Sequence, residues 1–206
     1  LSMQAQLTAT TLDEETARAE VYGLLAALFY AAPKAELHGK LQVAVTQAPS
    51  AGALLEHSWG ELVASARLYS LPDICREYDA LFGGVGKPEV YLFGSHYLSG
   101  FLNEKPLAAL RTDLAGLGLA RDAAMSETED HVAYLCEIMR YLIAGEDAGV
   151  ANLTRQREFF SRHVQPWFHS MCEVVMQHPK ARFYSALAAF TEAFVSIETQ
   201  GFDMLD

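Results

Sequence analysis

The densest group of potentially reactive side chains lies in the hexapeptide Ser126–His131. An apolar run with helical spacing begins directly after it, at Val132. Carboxylates and imidazoles transfer protons, bind metal ions and accept hydrogen bonds from cationic ligands. The local pattern also has a purely structural explanation, with Ser126 as the N-cap of a helix and the acids in its first turn. The side chains concerned are Glu127, Glu129, Asp130 and His131.

Metal or hydrolytic chemistry is one interpretation of this hexapeptide, because Glu127 and His131 would share one face of a helix. The sequence contains no H-E-x-x-H motif, and Thr128 stands where the Glu-x-x-His motif of di-iron bundles needs Glu. A G-x-S-x-G nucleophile motif is also absent. We therefore predict no metal and no catalytic residue. A helical metal-dependent hydrolase using Glu127, Asp130 and His131 is kept as the alternative function.

Composition narrows the class of partner. Of the 206 residues, 51% are hydrophobic and 20% are charged, which is typical of a folded domain. The net charge of −11 disfavours nucleic acid as a partner, since phosphate binding needs clustered Lys and Arg. An acidic surface suits a basic peptide instead, although acidity also serves solubility alone.

The cysteines and the hydropathy predict a cytoplasmic protein. Cys75, Cys136 and Cys172 are far apart in apolar surroundings, which favours buried free thiols over a disulfide framework. A secretory signal begins with a positively charged region, but no Lys or Arg precedes Arg18, so we expect no such signal. The longest mostly apolar stretch, Val21–Ala32, is too short to span a membrane, so we expect no membrane insertion.

Helical spacing of apolar residues recurs along the chain, and strand alternation does not. We predict an all-α bundle whose first helix opens with a capping box at Thr11–Glu14. The Gly-rich stretch Gly83–Pro88 reads as a loop, because Leu81 and Pro88 replace the Gly and the Ser or Thr of a P-loop. The further helices are expected near 35–45, 54–71, 73–82, 103–116, 127–144, 151–164 and 184–197. Pro166 marks a boundary or kink, after which the helical pattern continues through Val175.

Two features organise this bundle. A run of aromatics broken by Gly follows the loop, at Tyr91, Phe93 and Tyr97, and its rings either pack into the core or line a groove; burial is the favoured alternative. The polar segment before the helix at Val132 divides the chain. We predict an N-terminal helical domain over 1–125, a hinge motif at 126–131 and a C-terminal helical domain over 132–206.

These residues resemble the TorD/DmsD/NarJ family of redox-enzyme maturation chaperones, and most closely its TorD branch. The similarity covers nearly the whole chain, and the hexapeptide resembles the family's E-P-x-D-H motif, with Thr128 in the place of Pro. Other matching stretches are Tyr78–Gly83, Pro88 with Ser95 and Tyr97, Gln156, Phe159, His163, Pro166–Trp167 and Phe183–Tyr184.

The resemblance implies an all-helical cytoplasmic chaperone that binds the twin-arginine signal peptide of a molybdoenzyme precursor, here a trimethylamine N-oxide reductase. It would delay export until the molybdenum cofactor is inserted. The resemblance also implies weak GTP binding, although no nucleotide motif is present, and a domain-swapped homodimer. The signal-peptide site it implies contains Glu127, Asp130 and His131, with Tyr78, Phe82, Ser95 and Tyr97 near it.

Overall fold

The computed structural model describes residues 2–46, 53–83, 87–122 and 125–204, and these ranges are dominated by helices. The prediction of an all-α fold is confirmed. Within the described ranges the β interaction is an isolated antiparallel bridge between Phe93 and His131. Residues 84–86 of the predicted Gly-rich loop lie outside the described part. The helices are α1 (Ser2–Tyr30), α2 (Ala35–Val43), α3 (Ala53–Leu68), α4 (Leu71–Leu81), α5 (Gly94–Ser99), α6 (Lys105–Gly116), α7 (Val132–Ala144), α8 (Leu153–Phe159), α9 (Gln165–Gln177) and α10 (Phe183–Asp203), with a π-helical turn at Phe160–Val164 between α8 and α9.

Local sequence chemistry explains several of these boundaries. Ser70 caps α4 by accepting a hydrogen bond from the Asp73 amide at 3.3 Å, and Asn152 caps α8 through the Arg155 amide at 3.0 Å. Gly118 follows the end of α6 with a φ of +70°, a left-handed conformation that glycine adopts without steric cost. Helix α1 begins at Ser2, so the start predicted at Thr11–Glu14 is wrong. Good helix formers such as Gln4, Ala5 and Leu7 precede that capping box, so nothing in the sequence ends the helix there.

The π-helical turn marks the predicted boundary near Pro166. Proline has no amide hydrogen, so Pro166 cannot donate to the carbonyl four residues earlier, at Arg162. One wider turn at Phe160–Val164 allows the chain to remain helical across this position. Sequence analysis predicted a boundary or kink here, and the structure shows a change of helical type.

The first of two compact units comprises Leu1–Tyr30, Phe93–Ser95 and Ser99–Val164. Its core forms where α1 packs along α7, which also contacts α8 and the π-helical turn. Tyr22, Phe29 and Met139 are completely buried, which matches the apolar stripe that the sequence places on each helix. This unit contains the hexapeptide Ser126–His131.

The second unit comprises Ala31–Leu92, His96–Leu98 and Gln165–Asp206. Helix α10 packs against α9, α3 and α4. Phe168 and Tyr184 are fully buried in this unit, and Trp59 lies against Phe190 with ring centroids 5.5 Å apart. Large aromatic side chains therefore provide much of its core.

The structure also bears on the predictions for the cysteines and for membrane insertion. Cys136 and Cys172 are buried, Cys75 is half-buried, and all three are free thiols, as predicted. In the described residues, every helix is too short or too polar to cross a lipid bilayer. The domain boundaries 1–125, 126–131 and 132–206, the hinge and the domain swap stay predictions.

Candidate functional site

The hexapeptide forms a turn before α7 and does not form the first turn of that helix. The N-cap is His131, whose Nδ1 accepts a hydrogen bond from the Ala133 amide at 3.2 Å. The prediction that Ser126 caps the helix is therefore wrong, and so is the placement of Glu127 and His131 on one helical face. The helix does not begin at the acidic residues because the carboxylate of Asp130 binds the start of α5 and does not cap α7.

Asp130 links this turn to the start of α5. Its side chain is 3% exposed, and Oδ2 accepts a hydrogen bond from the Ser95 amide at 2.8 Å. Its backbone carbonyl accepts from the Gly94 amide at 2.9 Å. Asp130, 35 and 36 positions away in sequence, thus satisfies two consecutive amides of α5. Asp130 consequently fixes the geometry of the site from inside the unit.

Thr128 stabilises the same carboxylate. Its hydroxyl donates to Oδ1 of Asp130 at 2.6 Å, and its carbonyl accepts from the His131 amide at 3.1 Å. The family motif has Pro at this position, which restricts the backbone covalently. Here two hydrogen bonds constrain the turn instead.

His131 is buried among aromatic rings. It is 5% exposed, and its ring meets Phe93 edge to face at 5.0 Å and Tyr30 at 6.4 Å. Burial lowers the pKa of His131 to about 4, although the neighbouring Asp130 carboxylate acts in the opposite direction. The imidazole is therefore neutral at pH 7 and adds no positive charge to the site.

The other two carboxylates differ in their partners. Arg111 forms a bidentate ion pair with Glu129: Nη2 lies 2.8 Å from Oε2 and Nε lies 3.0 Å from Oε1. Burial acts to raise the pKa of Glu129, but the hydrogen bonds and charge of Arg111 outweigh it and the pKa is lowered. Glu127 is half-buried, and its Oε1 accepts a hydrogen bond from Ser126 at 3.3 Å. Among the described hydrogen bonds, the carboxylates of Glu127 and Asp130 both lack a cationic partner, and Glu127 is the more exposed of the two. Arg121 lies close by, since its Nη1 donates to the backbone carbonyl of Glu127 at 2.9 Å.

Ser95 contributes its backbone to the site. Its amide donates to Asp130, whereas its hydroxyl oxygen is buried without a hydrogen-bond partner in the described part of the chain. Three residues of the predicted site, Ser95, Asp130 and His131, therefore lie together in the first unit, and Glu127 belongs to the same turn as Asp130 and His131.

The predicted aromatic residues lie in the second unit and pack against other rings. Tyr78 and Phe82 contact each other at 5.2 Å, and each contacts Tyr184, at 5.6 and 5.1 Å. Tyr97 stacks on Trp167 at 5.5 Å, and its hydroxyl donates to the Tyr91 carbonyl at 2.8 Å. Burial also raises the pKa of Tyr97 well above its ordinary value. Tyr78, Phe82 and Tyr97 are all half-buried, so each packs inside the unit and also keeps exposed surface.

Residues of the matching C-terminal pattern have structural roles. Buried Gln156 accepts a hydrogen bond from Arg18 at 3.1 Å and donates to the Leu142 carbonyl at 3.1 Å. His163 pairs with Asp113 at 2.7 Å, and burial lowers the pKa of this imidazole. Gln156 thus joins α8 to α1 and α7, and His163 joins the π-helical turn to α6.

The described residues contain no group of three or more His, Cys, Asp or Glu side chains placed to hold a metal ion. In the hexapeptide, Asp130 accepts two internal hydrogen bonds and His131 uses Nδ1 as a helix cap. The observed geometry therefore gives the hydrolase alternative no specific support.

The sequence analysis did not predict the ion pair of Arg111 with Glu129 or the hydrogen bond from Thr128 to Asp130. Arg111 precedes Glu129 by 18 residues, and the two meet only because α6 returns to the turn before α7. No local pattern signals such a pair. The Thr128 bond had a detectable signal, since a hydroxyl two residues before Asp is a common partner in polar turns.

Comparisons with known proteins identify two similarities. Residues 49–173 match the family described as nitrate reductase delta subunit. Proteins from three strains of Vibrio cholerae serotype O1, each named chaperone protein TorD, are 26% identical over 204 residues. These alignments cover 91% of this chain and 93% of each relative.

Proposed function

The chain belongs to the nitrate reductase delta subunit family, and on this basis we propose that it is a maturation chaperone for a molybdoenzyme precursor. Membership confirms the resemblance to the TorD/DmsD/NarJ family. The relatives are named as chaperones and not as enzymes, which confirms the prediction of a non-catalytic protein and favours it over the hydrolase.

In the proposed role, the protein binds the twin-arginine signal peptide of the precursor in the cytoplasm and delays export until the molybdenum cofactor is inserted. The client is a trimethylamine N-oxide reductase. The observation that carries the proposal is the full-length similarity to chaperone protein TorD, which covers 91% of the chain.

The charges of the chain support this role physically. A twin-arginine peptide brings two guanidinium groups and an apolar segment, and the chain carries a net charge of −11. Glu127 offers a carboxylate without a cationic hydrogen-bond partner, and charge-assisted hydrogen bonds to guanidinium are among the stronger polar contacts. In the proposed role, Asp130 and His131 hold the turn that carries Glu127 in place. A contribution of Tyr78, Phe82 and Tyr97, which belong to the second unit, stays a prediction.

The proposal requires no cofactor. Weak GTP binding and a homodimer, both implied by the family resemblance, stay predictions.

Affinity purification of the tagged protein from its native cytoplasm, followed by mass spectrometry, tests the proposed role. We expect co-purification of an unexported molybdoenzyme that retains its twin-arginine signal. The control is the same preparation with the client's two signal arginines replaced by Gln, which should abolish recovery. Recovery of the client irrespective of its signal, or of no such precursor, would contradict the proposal.

A further inference from the structure

A cavity of about 180 Å³ lies in the first unit between the end of α6, the segment that follows it, and one face of α7. A buried apolar cavity of roughly 150 Å³ accepts a body the size of benzene, so this space accommodates one large apolar side chain. Its apolar wall consists of Leu114, Leu119, Met125, Tyr134, Ile138 and Tyr141.

Glu129 is one of the residues that line this cavity. Its carboxylate already holds a guanidinium, in the bidentate pair with Arg111 at 2.8 to 3.0 Å. Glu137 also lines the space, and its carboxylate pairs with Arg140 at 3.0 Å. Arg121 completes the polar part, where its Nη1 donates to the Glu127 carbonyl at 2.9 Å. An apolar space therefore adjoins a built guanidinium site.

The ion pair is suited to exchange. The Glu129 side chain is 13% exposed, so leaving it without a cation would be costly, whereas the Arg111 side chain is 52% exposed. An incoming arginine that replaces Arg111 keeps the carboxylate paired, and the released guanidinium returns to water. Bidentate geometry favours Arg over Lys at such a site.

We propose that the leader of the client docks here, with an apolar side chain in the cavity and one of its arginines replacing Arg111 on Glu129. This inference rests on the proposed function and names its contact surface. Charge and polarity argue for this occupant, because arginine next to an apolar segment matches a carboxylate next to an apolar cavity. Arg111 is then an internal competitor that lowers the affinity for the leader.

Binding of a fluorescent twin-arginine leader peptide, measured by anisotropy, tests the exchange. Arg111→Gln removes the competitor and should tighten binding about fivefold, whereas Glu129→Gln should weaken it about tenfold. Ile138→Trp, which fills the cavity from α7, should weaken binding several-fold. The control is Arg155→Gln. Arg155 is as exposed as Arg111 and pairs with the exposed Glu158 at 3.1 Å, away from the cavity, so its loss should leave the affinity unchanged.

Variants of the peptide turn this test into a double-mutant cycle between Glu129 and the arginines of the leader. Each peptide arginine is replaced by Gln, and for one of them the tenfold effect of Glu129→Gln should disappear. This comparison needs only wild-type protein and Glu129→Gln, so it decides the question even if Arg111→Gln folds poorly. Suppose that wild-type protein binds the leader, but Glu129→Gln weakens binding equally for the natural peptide and for both Arg→Gln peptides. This docking surface is then wrong, and the proposed function stands. Absence of any leader binding by wild-type protein overturns both.

Discussion

At the scale of single residues, the carboxylate of Asp130 has an internal structural role. Both of its oxygens accept hydrogen bonds, from the Ser95 amide and the Thr128 hydroxyl. Any effect of Asp130 on a ligand must therefore be separated from its effect on the turn. Glu127, in the same turn, offers the matched comparison because its side chain contacts only Ser126 among the described hydrogen bonds.

The substitution Asp130→Asn should lower the free energy of unfolding by about 1–3 kcal/mol. The amide replaces one carboxylate oxygen by an NH2 group, which cannot accept, and the remaining hydrogen bond loses its charge assistance. Glu127→Gln should change the free energy of unfolding by less than about 0.5 kcal/mol. Urea denaturation followed by circular dichroism measures both. Equal stability of the two variants would contradict the structural role of Asp130.

His131 should make stability depend on pH. Its pKa falls from an ordinary value near 6.5 in the unfolded chain to about 4 in the folded protein, so folding favours the neutral imidazole. The contribution is fully present above pH 6.5 and is lost as the pH falls towards 4. Between pH 7 and 5 the loss is about 2 kcal/mol.

The measurement compares wild-type protein with His131→Asn, since Asn keeps an acceptor for the Ala133 amide and does not titrate. Urea unfolding at the two pH values should show a smaller loss for the variant. His163 contributes to both proteins in the same direction, so only the difference between them reports on His131. Identical losses would show that His131 does not titrate as inferred.

At the scale of elements, α10 is capped by a side chain from another helix. Glu77 in α4 accepts hydrogen bonds from the amides of Arg182, Phe183 and Tyr184 at 2.7, 3.1 and 2.8 Å. These amides are the unsatisfied donors of the helix start, where the helix dipole also favours an anion. The contact joins α4 to α10 within the second unit.

Replacing Glu77 with Ala should therefore cost about 2–3 kcal/mol of stability, because a charged acceptor is lost and partly buried amides are left without a partner. Glu173→Ala is the control, because this residue is exposed on α9 and its carboxylate accepts a hydrogen bond only from Gln177 among the described contacts. Thermal unfolding distinguishes the two. A loss for Glu77→Ala no larger than for Glu173→Ala would exclude the capping role.

Helix positions could be predicted from the sequence, but helix starts that depend on distant partners could not. Apolar spacing indicated α7 correctly, because its buried face repeats with the helical period. Its start was misplaced because Asp130 binds the Ser95 amide, 35 residues away, and leaves His131 as the cap. Local propensity contains no information about such a bond.

The candidate site shows the same division. The clustering of Glu127, Asp130 and His131 was visible in the sequence, and so was the family motif that they form. The burial of His131 between Phe93 and Tyr30 was not, because these rings come from segments far apart in the chain. Spacing within one segment cannot reveal which side chains from another segment will desolvate it.

At the scale of the whole molecule, the acidic net charge and the family membership are both compatible with the cationic leader that we propose as the ligand. The chain carries a charge of −11 and belongs to the nitrate reductase delta subunit family, with relatives named as chaperones. Binding of a cationic leader by an acidic protein should weaken as salt screens the charges, over a Debye length of about 10 Å at 0.1 M ionic strength. Apolar contacts of the same complex should change little with salt.

The most direct test of the proposed function is isothermal titration calorimetry of the purified protein with the client's twin-arginine leader peptide. We predict saturable binding that weakens with rising salt, and at least about tenfold weaker binding of a peptide with both arginines replaced by Gln. No binding of the natural leader, or equal affinity for the two peptides, would contradict the proposal that this protein recognises a twin-arginine signal.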